Sequence, residues 1–435
     1  MTRGSLCHVA TLGPCTKKAN LCISTLGRKM PSNSTISSSL LASPKEAARV
    51  SESYPLMIIP PHDKKDKDGR SLCRFYDYIN KKVVNTNTKI PEEVDHALCI
   101  GSSHGWLAYV SRLDCSIFLW SPFTTSPLIL LPPIHTLPFI KVIPHEEIED
   151  DEVSDYISDD DNFFPDYGFK VEAEYPDPSK IYYTRTPKGL SPQIIDYIVL
   201  SSIPTSDDCI VVAMSDIIMY QGIFFCKPGD KSWTFVEQPV KLTHRIRNLI
   251  HFKDRLFYTM NHTANFLFAY DLADLSSPKS YRLKFGNGEY IQDLCTDSLP
   301  HEEYNKNFYL VESLGDLLLV CRLIRSDIDN NEDKFALSDD DEFPIEKFEV
   351  YRLDFSRNTW EHTKCIGDQV LFLDSNQTLS LSALDFPNFK ANCIYFTGYF
   401  FKCHDYGHYE IGGNLFGQFH QFGRTWPHWV MRHFH

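Results

Sequence analysis

The residues best placed to do chemistry in this chain are a glycine-bracketed serine stretch and a histidine-rich C-terminus. "GSSHG", Gly101 to Gly105, fits the G-x-S-x-G pattern of a serine hydrolase, with Ser103 as nucleophile and His104 beside it. Such a serine works only on a sharp turn between a buried strand and a helix, which lifts its hydroxyl above the sheet beside an oxyanion hole. The second group is His404, His408, His420, His428, His433 and His435. The i, i+4 spacing of His404 and His408 aligns two metal ligands on a helix but not on a strand. In both cases the flanking elements decide.

Upstream of "GSSHG", "DHALCI" reads as a strand; downstream, "WLAYVSRLDCSIFLWSP" reads as a strand, a "SRLD" turn and a second strand ending at Pro122. Where a nucleophile elbow needs a helix, Trp106 to Val110 is aromatic and β-branched, so Gly101 and Gly105 are expected to bracket a tight turn and Ser103 to be structural. The segment "FKCHDYGHYEI" also reads as strand and turn, which does not gather the histidines on a metal. No P-loop, H-E-x-x-H or glycine-rich dinucleotide turn occurs. The sequence therefore assigns no catalytic residue, no metal ligand and no cofactor, names no binding residue, and predicts a protein that is not an enzyme.

The elements that would position any site read as β. The 435 residues are 43% hydrophobic and 13% aromatic, with 30 Phe and 22 Tyr beside 7 Met, a bias that suits pleated, half-buried surfaces. From Tyr54 onward, apolar runs of about 4 to 8 residues alternate with turn residues, as in "IIDYIVLSS", "DCIVVAMSD" and "FYLVESLGDLLLVCRLI". Four segments share an order of apolar strand, polar turn and second strand: "SIFLWSPFTTSPLILLPP", "IFFCKPGDKSWTFVEQ", "NFLFAYDLADLSSPKSYRL" and "EVYRLDFSRNTWEHTK". Trp233 and Trp360 follow the turn at matching places in the second and fourth, and are expected to be core anchors. Pairs such as "LIHFKDRLFYTM" would supply the inner strands of the same units. Four-stranded units recurring every 40 to 50 residues predict an all-β propeller of about five to seven blades.

Charge and cysteine narrow the function classes. Net charge is −14, but residues 146–161 hold ten acids and no base, and residues 327–346 hold nine acids and one Lys, so the rest of the chain sums to about +4. Runs like these repel themselves and stay solvated, and they are expected to be loop insertions on a nearly neutral body. "SDDDEF" lacks the spaced ligands and turn glycine of an EF-hand loop. The body has no basic stripe with interleaved aromatics, which disfavours nucleic acid as the main ligand. No apolar stretch is long enough to span a membrane, and the chain reads as soluble. Thirteen scattered cysteines without C-x-x-C read as reduced and structural. The sequons at Asn33, Asn261 and Asn376 read as chance matches. Residues 1–50 read as a disordered leader: Arg3, Lys17, Lys18, Arg28, Lys29 and Lys45 stand among many Ser and Thr, and no acid precedes Glu46. That composition suits an organellar transit peptide, mitochondrial or plastid, better than a secretory signal. A plain disordered tail, or initiation at Met30, is the other reading.

Taken in order, "CIGSSHGWLAYVSRLDCSIFLWSPFTTSPLILLPP", "GDKSWTFVEQP", "FYLVESLGDLLLVCRL" and the stretch from "FEVYRLDFSRNTWEHTKCIGDQVLFL" to "ANCIYF" resemble the plant F-box-associated β-propeller family, the group known as domain of unknown function 295. The resemblance covers about residues 54–430, with Trp429 in "WPHWVM" similar to the family's end. It implies a monomeric propeller used as a protein-protein interaction surface. Many relatives carry an N-terminal F-box that docks a ubiquitin-ligase scaffold, whereas residues 1–50 are Ser-rich, cationic and poor in bulky apolar residues. They better resemble the family branch with organelle-targeting leaders. The expectation is a non-enzymatic interaction module in an organelle, the mitochondrion first; the alternative is a substrate-recruiting ligase subunit with a missing or degenerate F-box.

Overall fold

In a computed structural model the chain divides into two units, Met1–Ser53 and Tyr54–His435. The structure describes residues 55–59, 71–95, 97–142, 182–184, 194–215, 222–238, 246–261, 266–283, 304–325, 345–374, 377–400, 403–413, 415–420 and 428–431. The acidic stretches 146–161 and, but for its last two residues, 327–346, the leader 1–50, and Asn33, Asn376, His433 and His435 lie outside the described residues.

The second unit is a six-bladed β-propeller. Blade 1 contains β1 (Leu56–Ile59), β2 (Leu72–Asp77) and β3 (Lys82–Lys89). A four-residue helix, α1 (Glu92–Asp95), leads to blade 2: β4 (Ala97–Ser103), β5 (Trp106–Ser111), β6 (Ile117–Trp120) and β7 (Ile129–Leu131). A short parallel pair follows, β8 (Ile140–Val142) with β9 (Tyr182–Thr184). Blade 3 is β10 (Tyr197–Leu200), β11 (Val211–Ser215), β12 (Gly222–Cys226) and β13 (Thr234–Val236). Blade 4 is β14 (Ile246–Phe252), β15 (Leu256–Asn261), β16 (Leu267–Asp271) and β17 (Lys279–Leu283). Blade 5 is β18 (Tyr304–Ser313), β19 (Asp316–Arg325), β20 (Ile345–Asp354) and β21 (Thr359–His362). Blade 6 takes β22 (Gln369–Leu373), β23 (Thr378–Ser382), β24 (Cys393–Phe400), β25 (Cys403–Glu410) and β26 (Leu415–His420). Finally β27 (His428–Val430) returns to blade 1 and pairs antiparallel with β1, Met57 opposite Trp429.

Burial explains why the strands read as near-continuous apolar runs. A middle strand of a blade is covered on both faces by neighbouring blades, so both sets of alternating side chains must be apolar. Along β11, Val211 and Ala213 join the core shared by blades 2 and 3, while Val212 and Met214 join the core shared by blades 3 and 4. Six such clusters fill the six seams, including one between blades 6 and 1 that buries Met57, Phe372, Tyr395 and Trp429. The outermost strands are wetter: β3, "KVVNTNTK", has no buried residue, and its lysines and polar side chains blunt the exposed edge.

The expected tryptophan anchors sit in these seams. Trp233 is buried against blade 2 and its Nε1–H donates to the Pro132 carbonyl at 2.7 Å. Trp360 is buried with Tyr351, Leu353 and Phe252 between blades 4 and 5. Asn261 is also buried, its Oδ1 accepting the Phe266 N–H, so that sequon's asparagine lies inside the fold. The eight cysteines whose side chains are described are free thiols. No described helix is long and apolar enough to cross a membrane.

Blade 6 departs from the four-stranded expectation. Its order is β23-β22-β24-β25-β26, with β22 and β24 parallel. The chain enters on the second strand, turns inward to lay down β23 as the axial strand, then crosses over residues 383–392 to reach β24, as a parallel pair requires.

Candidate functional site

Six strands, one per blade, surround the axis: β4, β10, β14, β18, β23 and β27. Their packing is close enough to dictate sequence. A Cβ on Gly101 of β4 would stand 2.1 Å from the Ile198 carbonyl oxygen of β10, so only glycine lets these two backbones meet. His104 (φ +52°) and Gly105 (φ +76°) then form the two-residue turn of a hairpin in which Ser103 pairs with Trp106. Two successive positive φ values mark the primed turn that matches strand twist. Blade 5 repeats the device with Leu314 (φ +52°) and Gly315 (φ +80°) between Ser313 and Asp316. "GSSHG" is therefore an axial strand end and hairpin, followed by β5 rather than a helix.

Where these hairpins gather, the axis opens into a cavity of about 280 Å³ lined from all six blades. Its wall combines Tyr197, Leu249, Leu379 and Met431 with hydroxyl residues and one carboxylate, Glu312; no Lys or Arg lines it. Most of the hydroxyls stitch blades together. The Leu200 N–H donates to Ser103 Oγ at 3.3 Å, Ser313 and Ser380 share a hydrogen bond at 2.8 Å, and Thr378 Oγ1 donates to the Leu310 carbonyl at 2.6 Å. Glu312 accepts the Gly315 N–H at 2.7 Å. A Ser103 hydroxyl engaged with the next blade, with no helix behind it, is not set up as a nucleophile.

The rim is more exposed. Leu314 is 77% exposed, and Phe355, at 38%, lies 5.9 Å from the Phe252 ring. Lys253 Nζ sits 4.9 Å over Phe252, and its stem runs beside Gly315. Blades 4 and 5 thus present two apolar side chains around a lysine, next to Glu312.

Below the cavity the axis holds a titratable cluster. Asp374, just past β22, is buried; its Oδ2 accepts the Trp429 N–H at 2.8 Å and its Oδ1 lies 3.7 Å from His428 Nδ1. That separation is an ion pair rather than a hydrogen bond. Burial alone would depress the His428 pKa, but Cys99, which hydrogen-bonds it, and Asp374 together push it up to about 10. Across the axis, burial and the Asp374 charge hold the Tyr197 hydroxyl protonated well above its ordinary range. Cys99 also faces Tyr109, whose pKa is raised by burial and by Cys99 and Cys73.

Among the C-terminal histidines whose side chains are described, His408 and His428 have separate partners. His408 stacks on Phe416 with ring centroids 4.8 Å apart, and its Nδ1 lies 2.8 Å from the Tyr78 hydroxyl; burial lowers its pKa. His404 and His420 face each other in the β25–β26 register, with their side chains outside the description. Of the two described, His428 reaches the axis. Sequence reasoning missed Asp374 and Cys99 altogether; the one signal was "WPHWVM", noted for Trp429 rather than for the histidine beside it.

Comparison with solved structures finds matches at low identity. A catalytically inactive virginiamycin B lyase from Staphylococcus aureus with quinupristin is 10% identical over 72% of this chain and 84% of that one, with a TM-score of 0.28. The periplasmic gluconolactonase PpgL from Pseudomonas aeruginosa is 8% identical over 86% and 99%, with a TM-score of 0.31. TolB from Acinetobacter baumannii is 9% identical over 87% and 66%, with a TM-score of 0.31. Likenesses this distant carry no functional argument. No curated protein matches the chain. Residues 75–413, by contrast, match the family described as KIB1-4 beta-propeller, a span that takes in the end of β2 and all of β3 from blade 1 and all of blades 2 to 5, and reaches the β25–β26 turn of blade 6. With six blades around one axis and that match across more than half of its length, the chain belongs to the KIB1-4 β-propeller family.

Proposed function

We propose that the protein is a non-enzymatic interaction module that takes a protein partner at the hairpin end of its axial cavity, within the organelle-targeted branch of the F-box-associated propellers. The observation that carries this reading is the rim: Leu314 and Phe355 exposed beside Lys253 and Glu312, over a cavity in which Ser103, Thr378 and Ser380 are engaged in joining blades. Interface cores favour exposed apolar and aromatic anchors with few charges, and loops held by a rigid scaffold are where propellers vary. The cationic, acid-free leader supports import into the mitochondrion, with the plastid as the other destination.

Two measurements test it. The full-length protein and a version starting at Ser51, each fused at its C-terminus to a fluorescent protein, should show organellar signal that truncation abolishes. Diffuse signal from both rejects import and favours the ligase-subunit alternative, for which co-purification with the ubiquitin-ligase scaffold is the decisive result. For the rim, Leu314→Asp should release a partner held by the native protein while leaving the melting temperature within about 1 °C, because an exposed side chain contributes little to the fold. A partner retained equally by both proteins places the interaction elsewhere.

A further inference from the structure

We infer that the axial cavity seats a basic side chain, lysine or arginine, of the protein partner, with Glu312 as its counter-ion. This rests on the rim as the docking face and extends it to the chemistry of what enters. The cavity, about 280 Å³, is lined from all six blades. An α-helix is about 10 Å across, so a single side chain fits where a folded element does not.

The wall suits an apolar stem with a cationic head. Leu249, Leu379 and Met431 offer surface on which the methylenes of lysine or arginine pack. The hydroxyls around them have already spent their protons: Thr378 Oγ1 donates to the Leu310 carbonyl at 2.6 Å and Ser380 Oγ to Gln369 Oε1 at 3.1 Å. A hydroxyl that donates elsewhere still keeps lone pairs. These groups can therefore accept from an ammonium or guanidinium and have no proton to give an anion.

Glu312 supplies the charge. One of its carboxylate oxygens accepts the Gly315 N–H at 2.7 Å, which fixes the group at the end of β18, and the other has no partner among the described residues. Lys253 on the rim leaves that oxygen open, because its Nζ rests over the Phe252 ring and no described ion pair joins it to Glu312. The mouth has the same sign. Across the hairpins that join first to second strands in blades 2 to 5, the charged residues are Asp207, Asp208, Lys253, Asp254 and Arg255. Arg255 is engaged with Asp208 at 3.1 Å. With Glu312 added, four acids stand against two bases, a balance that draws a cation to the mouth and opposes an anion. Leu314 and Phe355 then meet an apolar neighbour of the basic residue.

The test uses the full chain and a panel of short blocked peptides, random except for a leucine and a nearby central residue fixed as Arg, Lys, Gln or Glu, with binding read by fluorescence anisotropy at low salt. Arg- and Lys-centred peptides should bind about fivefold tighter than Gln-centred ones, the upper end for a solvent-accessible ion pair, with Glu-centred peptides weakest. Glu312→Gln keeps an acceptor for the Gly315 N–H and should erase that preference without lowering the melting temperature. Leu314→Asn should instead weaken every member of the panel alike. Peptides released by Leu314→Asn that show no basic preference overturn the cavity proposal and leave the rim reading standing. A basic preference that Glu312→Gln abolishes and Leu314→Asn leaves untouched upholds the cavity and sinks the rim reading. A preference that survives Glu312→Gln, or tighter binding of Glu-centred peptides, overturns the proposal, and no binding by any member overturns both.

Discussion

Substituting Gly101 with alanine tests the reading of "GSSHG" as an axial strand end. The added Cβ would sit 2.1 Å from the Ile198 carbonyl oxygen, and 3.1 Å from its carbon. Ordinary contact starts at about 3.4 Å, so β4 and β10 must separate by about 1.3 Å. The obstacle is backbone of a neighbouring blade, with Ile198 buried in the seam core, so no rotamer change relieves it. Overpacking of this kind costs about 1–3 kcal/mol, with the upper end expected where backbone must move. Relief from a less flexible unfolded chain offsets about 0.4–1 kcal/mol. A net loss of about 2–2.6 kcal/mol remains. At roughly 2 cal/mol/K per residue, the unfolding entropy of about 380 residues is near 0.8 kcal/mol/K, so the melting temperature should fall by about 3 °C. Gly222→Ala is the control: its Cβ would meet the ring of Phe235 at 2.8 Å, a partly exposed side chain that can turn away. It should shift melting by less than about 1 °C. Calorimetry on both variants decides, and a Gly101→Ala protein melting with the native one refutes the close approach that explains the motif.

Other substitutions follow the same logic. Trp233→Phe leaves the Pro132 carbonyl without its donor in a buried seam, and should cost about 1–3 kcal/mol by denaturant melts. Ser103→Ala removes an acceptor from the Leu200 N–H and should cost about 1 kcal/mol, with no accompanying loss of a hydrolase activity that the geometry does not support. For His428 the folded pKa, about 10, lies above the unfolded value of about 6.5. Its charge therefore contributes stability that is complete below pH 6.5 and lost as pH rises toward 10. The melting-temperature gap between the native protein and His428→Gln should narrow across that window, and a constant gap would contradict the ion pair.

Much of the blade architecture was legible in the sequence, and the reason is local. The four repeated segments are the third and fourth strands of blades 2 to 5: β6–β7, β12–β13, β16–β17 and β20–β21. Each is a hairpin, so apolar runs and turn residues lie next to one another in the chain. "LIHFKDRLFYTM" and "YLVESLGDLLLVCRLI" are the first two strands of blades 4 and 5 for the same reason. The count stayed between five and seven because the two remaining blades break that locality. Blade 1 borrows a three-residue strand from the far end of the chain, and blade 6 inserts its axial strand out of order. Neither pairing leaves a periodic trace.

The axial cluster was hidden by the same circumstance. Cys99 was one of thirteen scattered cysteines, Asp374 one of many acids, and His428 one of a C-terminal group whose spacing suggested helix chemistry. They meet only because β27 closes the ring. Asp374 both accepts the Trp429 N–H that fixes β27 and pairs with His428, and Trp429 fills the seam between the first and last blades. Closure and cluster are thus one structure. Opening the ring at β27 would separate His428 from Asp374 as it exposed Trp429.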